Sequence, residues 1–267
     1  MAAAKEFVRL AAVGDLHYGK SSRGQLQPLF NALTRVEADI LLLLGDLTDY
    51  GLAEEAVELA RELTGGIKIP IVAVLGNHDY ESGADAEISR ILREAGVQLL
   101  DGETVEVQGI GFAGVKGFAG GFGRGVLGPW GEEAVKRFVH EAVNEALKLE
   151  SALARLRTPT KIALLHYAPI AGTVEGEPRE IWPYLGCGRL EEPLSRYQVT
   201  AVFHGHAHHG AAEGKTVNGT PVYNVSLPLL LAANPEQPVR TLDVRHEVHG
   251  DRHPGDHGEE RQLRTAS

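Results

Sequence analysis

The sequence predicts an α/β fold of two stacked sheets, and three observations carry that reading. Short apolar runs alternate with amphipathic stretches over the first hundred residues, the order expected of a parallel sheet with crossover helices. A second set of short strands follows a long helical pattern. No Pro-, Gly- or Ser-rich linker separates the two halves, and no internal repeat is present.

Phe7–Val13, Ile40–Leu44 and Ile69–Leu75 read as buried strands, rich in Val, Ile and Leu and each followed closely by Gly. The stretches 25–37, 52–64 and 84–95 read as helices, the second with acidic residues early, as the helix dipole prefers. Thr104–Gln108 and Ile110–Val115 alternate around Gly109 like a hairpin, and a Gly-rich loop runs from Gly117 to Gly128. A long helix over 132–156 places Val135, Phe138, Val139, Ala142, Ala146, Leu149 and Leu153 on one face. Strands fit Lys161–Leu165, Thr200–Phe203, Pro221–Val225 and Val239–Val244. Residues 1–245 thus read as the folded domain. Residues 246–267 are polar, carry four His and no core-forming pattern, and read as a disordered tail.

Composition narrows the functional classes. Of 267 residues, 26 are Lys or Arg and 36 are Asp or Glu, a formal net charge of −10. That balance argues against general nucleic-acid binding, which needs a basic face. A small phosphate ester stays open, because a metal ion can supply positive charge locally. Cys187 is the single cysteine, so no internal disulfide forms, and a reducing cytoplasmic location is expected. The longest apolar stretch, 227–233, contains Pro228 and is far short of the ~20 residues of a membrane helix, so no membrane partner is expected.

The informative residues stand where strands end. Asp15-Leu-His17 follows the first, Gly45-Asp46-Leu-Thr-Asp49 the second and Gly76-Asn77-His78-Asp79 the third; His166 ends a later strand and His204-Gly-His206 another. Taken singly, each is ordinary capping or turn chemistry. Five strand ends delivering such groups to one sheet edge, where α/β sheets gather ligands, is a different matter.

This order of blocks resembles the calcineurin-type metallophosphoesterases, over about Val8 to Val225. The resemblance implies a four-layer α/β/β/α sandwich and a dinuclear centre of two divalent transition-metal ions (Mn, Fe or Zn), which suits a mixed imidazole and carboxylate set. Carried over by position, Asp15, His17 and His206 hold one metal, Asn77, His166 and His204 the other, and Asp46 bridges them. A metal-bridging hydroxide then attacks phosphorus in line. His78 acts beside the leaving group, oriented by the Asp49 carboxylate.

Protein Ser/Thr phosphatases of this type carry Arg after the residue matching Asp49, where this chain has Tyr50, and Glu where it has Asp79. Loss of that phosphate-clamping fork points away from phosphoproteins, toward a small phosphoester such as a nucleotide and the small bacterial phosphodiesterase branch. The alternatives are a phosphomonoesterase or nucleotidase of the same family, and a non-catalytic metal-binding scaffold. Arg124 and His208 are candidate substrate contacts, and Trp182 and Tyr184 are candidates for base stacking or for core packing.

Overall fold

A computed structural model describes residues 7–19 and 22–245. Eleven strands and seven helices are defined among them. The expected tail at 246–267 lies outside the described residues.

The first sheet has the order β11-β1-β2-β3-β4. Its strands are β1 (Phe7–Val13), β2 (Ile40–Leu44), β3 (Ile71–Val74), β4 (Gln98–Leu99) and β11 (Arg240–Arg245). β1 to β4 run parallel, and β11 pairs antiparallel with β1. The second sheet has the order β5-β6-β7-β8-β10-β9. It comprises β5 (Thr104–Val107), β6 (Ile110–Gly114), β7 (Lys161–Leu164), β8 (Ala201–His204), β9 (Glu213–Lys215) and β10 (Pro221–Asn224). Its central four are parallel, with antiparallel strands at both edges.

Side-chain alternation along these strands builds the layers. In the first sheet Leu10, Ala12, Ile40, Leu42, Val72 and Val74 point inward and meet Phe112, Ile162, Leu164, Ala201 and Phe203 of the second. The intervening residues Ala11, Val13, Leu41, Leu43 and Ala73 face outward onto helices α1 (Gln27–Arg35), α2 (Ala53–Gly66) and α3 (Asp85–Glu94). On the far side, Ala113, Ala163, Val202 and Val222 face α4 (Glu133–Arg155) and α6 (Glu191–Arg196). Three apolar interfaces between four layers of secondary structure give the α/β/β/α sandwich.

The short edge strands β4 and β9 are too brief to show a period of two, and the sequence reading does not contain them. Nor does it contain α5 (Trp182–Leu185) or α6. The apolar run Leu227–Ala233 forms α7 with its proline in the first turn, where no N–H is needed. β8 differs from expectation by one residue, ending at His204 rather than Phe203. That shift matters for the site. Among the described residues, no helix is long and apolar enough to cross a membrane.

Candidate metal centre

The parallel strands of both sheets end at one edge, and the chain turns sharply just past them. Asp15, Asp46 and His166 each stand two residues beyond the last residue of β1, β2 and β7. Seven described non-glycine residues have positive φ, and four of them are Asp15 (58°), His17 (42°), Asp46 (47°) and His206 (69°). Such backbone costs on the order of 1–3 kcal/mol per residue and persists only where the surroundings enforce it. Hydrogen bonds between the turns do so: Asp15 N–H donates to the Gly45 carbonyl at 2.9 Å and His17 N–H to the Asp46 carbonyl at 2.9 Å.

Asp79 locks the second turn to the third. Its fully buried carboxylate accepts from the N–H groups of Leu47, Thr48 and Gly76 and from the Thr48 hydroxyl, at 2.6–3.2 Å. Burial pushes its pKa up, against the pull of those donors. Gly76 is required by space: a Cβ there would lie 2.2 Å from Asp46 Oδ1. Gly205 is similar, with Asp15 Oδ2 2.3 Å from where its Cβ would be.

Asp46 occupies the middle. Its Oδ2 lies 3.8 Å from His17 Nε2, and its Oδ1 lies 3.3 Å from His166 Nε2 and accepts the His78 N–H at 2.8 Å. Around it are three groups with the reach to hold a cation: Asp15, His17 and His208 on one side, Asp46, His166 and His206 on the other, and His17, Asp49 and His78, which shares His17 with the first. Asn77 Oδ1 lies 2.9 Å from His166 Nε2 and so joins the second group. His208 Nε2 lies 3.1 Å from Asp15 Oδ1.

This differs from the arrangement expected from the sequence. His206 stands with His166, not with His17, their ring centroids 4.8 Å apart. His208, expected as a substrate contact, completes the first group. His204, expected as a ligand, faces elsewhere: its Nε2 lies 2.8 Å from Thr173 Oγ1 and its Nδ1 2.8 Å from the Gly205 carbonyl. The reason is strand parity. His204 still belongs to β8 and shares the helix-side face of Val202, so it points into the outer layer. The pattern Gly-His-x-His is spelled by Gly205-His206-Ala207-His208, two residues later than the frame expected from the sequence.

Two further expectations change in detail. The group that meets His78 Nδ1 is the main-chain carbonyl of Asp49, at 2.7 Å. The Asp49 carboxylate lies 3.5 Å from His17 Nδ1 instead. Arg124 stands exposed in the turn Gly123–Gly125. Trp182 is half-buried and donates its indole N–H to the Glu177 carbonyl at 3.0 Å, whereas Tyr184 is exposed.

The electrostatics suit cations. Burial alone would raise Asp46, but the His166 imidazolium and its hydrogen bond hold Asp46 well below the usual carboxylate range. Burial would lower His166, yet the Asp46 charge pushes it up to about 9. The hydrogen bond to Asp15 raises His208. Protons on these rings thus balance the carboxylates, and a cation held by the same atoms displaces them. Burial lowers His17, and it lowers His206 to about 4, leaving both neutral as ligation requires; it also lowers His204, which lies outside these groups, to about 4.

A metal fits these residues. His17 Nε2 is buried beside Asp46 with no hydrogen-bond partner, a costly state for an imidazole nitrogen unless a cation meets it. The ring nitrogens pointing away from the centre are tied down: His166 Nδ1 to the Leu44 carbonyl at 2.9 Å and His206 Nε2 to the Tyr184 carbonyl at 3.2 Å. Such contacts fix tautomer and ring orientation, as the outer shell of a metal site does.

The sequence model described as calcineurin-like phosphoesterase matches residues 8–210. The chain belongs to the calcineurin-like phosphoesterase family. It is therefore a metal-dependent phosphoric ester hydrolase of a family that works with dinuclear centres. Solved structures share the fold. The protein TT1561 of Thermus thermophilus has a TM-score of 0.53 and 15% identity, over 90% of this chain and all of that one. A putative 5'-nucleotidase from Staphylococcus aureus, in complex with alpha-ketoglutarate, has a TM-score of 0.52 and 18% identity, over 82% of this chain and 48% of that one. No curated protein matches the sequence significantly.

Proposed function

We propose that this phosphoesterase is a phosphodiesterase whose two divalent transition-metal ions, Mn, Fe or Zn, are held on either side of Asp46. Asp15, His17 and His208 would hold one; Asn77, His166 and His206 would hold the other. The observation that carries this reading is the Asp46 carboxylate, which turns one oxygen to His17 and the other to His166.

When bound, such an ion pair lowers the pKa of water and neutralises phosphoryl charge. The chain's own residues do the rest. Asp46 and the backbone around it fix the spacing of the two half-sites. His78 keeps its Nδ1–H on the Asp49 carbonyl, which leaves Nε2 free to deliver a proton to the departing oxygen. The Asp49 carboxylate, beside His17 Nδ1, orients that ligand so that Nε2 faces inward.

A diester is favoured because Tyr50 stands where the phosphatases place a charged fork, and its side chain brings no charge to hold a dianionic monoester. The substrate is a small molecule, in keeping with a net charge of −10 that repels nucleic-acid polymers.

The test compares metal-reconstituted protein on bis(p-nitrophenyl) phosphate and p-nitrophenyl phosphate. A kcat/KM at least about tenfold higher for the diester, abolished by chelator and restored by Mn, is expected. Faster turnover of the monoester would reverse the assignment.

A further inference from the structure

Beside the metal centre lies an apolar groove of about 550 Å³ that the chemistry above leaves unused. It is lined by Leu127, by Val135 and Phe138 of α4, by Pro183 and Tyr184 of α5, and by Glu180. Leu127, Val135 and Tyr184 are 38%, 37% and 62% exposed. Apolar side chains left open in a concave surface mark a place where something binds.

Two separate paths join this groove to one proposed metal ligand, His206. The Tyr184 carbonyl meets His206 Nε2 at 3.2 Å. From α4, Phe138 packs on Phe118 at 5.0 Å between ring centroids, Phe118 on Tyr167 at 5.9 Å, and Tyr167 on His206 at 4.5 Å. The walls are also preformed. Gly120 N–H donates to the Pro183 carbonyl at 2.7 Å, Gly121 N–H to the Gly186 carbonyl at 2.9 Å and Leu127 N–H to the Gly120 carbonyl at 2.9 Å. The Gly-rich loop is thereby pinned to α5.

The lining selects its occupant. It contains no Lys, Arg or His, so a second phosphate or a carboxylate finds no counter-charge there. The rings of Tyr184, Phe138 and Pro183 offer flat faces for stacking, and Glu180 offers an acceptor to N–H donors. An acyl chain would use the apolar walls but make no use of the Glu180 carboxylate, which is exposed at the groove.

We propose that this groove is a nucleobase subsite, so that the ester arm away from the leaving group is a nucleoside. This rests on the phosphodiesterase reading, and the experiment separates the two. Thymidine 5'-(p-nitrophenyl) phosphate and methyl p-nitrophenyl phosphate share leaving group and charge and differ only in the arm the groove would receive. In the wild type, kcat/KM is expected at least about tenfold higher for the thymidine ester. In Tyr184→Ala, which keeps the carbonyl that meets His206, and in Val135→Glu, the ratio between the two esters is expected to fall toward one.

Equal rates on both esters in the wild type, or a ratio unchanged in both variants, overturn the proposal. So does an octyl p-nitrophenyl ester preferred over the thymidine ester, which would assign the groove to an acyl chain. If the protein hydrolyses neither ester, the phosphodiesterase reading fails while the groove is still read by saturation-transfer NMR with thymidine. Signal in the wild type that is lost in Tyr184→Ala supports the subsite, and no signal in the wild type refutes it.

Discussion

The carboxyl edges of the two sheets treat their histidines differently. At the first sheet, His17 follows the strand end and points into the centre, its Nε2 buried and without a hydrogen-bond partner. At the second sheet, His204 is itself the strand end, and both of its ring nitrogens are satisfied within the protein. Four residues on, His208 reaches back to Asp15. Position relative to the end of the strand, rather than residue type, separates a candidate ligand from a core histidine. A ligand must lie past the last paired residue, where the chain can turn its side chain along the strand axis; within the strand it can face only one sheet surface or the other.

Substitutions can break this comparison. The largest effect is expected for Asp46→Asn, because both half-sites share its carboxylate: hydrolysis of bis(p-nitrophenyl) phosphate falls more than ~1,000-fold, and elemental analysis finds at most about one ion per chain. Next comes the histidine pair. His208→Ala is expected to lose about one metal ion per chain and roughly 100-fold in rate. His204→Gln is expected to keep both ions and a rate within about threefold, while chemical denaturation shows a loss of about 1–3 kcal/mol from the disturbed bonds to Thr173 and Gly205. The reverse result would return the ligand set to the frame that contains His204.

A smaller effect sharpens the role of Asp49. If its carboxylate orients His17, Asp49→Asn weakens metal affinity about 10-fold, read by competition with a chelator dye, and restores activity at saturating metal. A defect confined to substrates with poor leaving groups, with metal affinity unchanged, would instead give the carboxylate to His78.

Much of this arrangement was legible in the sequence. Alternating runs such as Ile40–Leu44 are apolar on both faces because each is covered on both sides, and the blocks around Asp15, Asp46 and Asn77 lie past unmistakable strand ends. The C-terminal block was harder. Thr200–Phe203 and Ala201–His204 are equally good strands by composition, and three histidines at alternate positions let the ligand frame slip by two. The spacing favours the proposed frame: Asp15, Asp46 and His166 stand two residues past their strands, and the same offset from His204 selects His206. Tyr184 stood out as a stacking candidate, but its carbonyl contact to His206 and that of Asp49 to His78 were illegible, because main-chain contacts between distant loops leave no mark in residue type.

Anomalous diffraction from a zinc-loaded crystal tests the ligand set most directly. Two peaks should flank Asp46, one about 2.0–2.1 Å from ring nitrogens of His17 and His208 and the other at the same distance from those of His166 and His206. A peak on the His204 ring, or zinc remote from Asp46, would contradict the account.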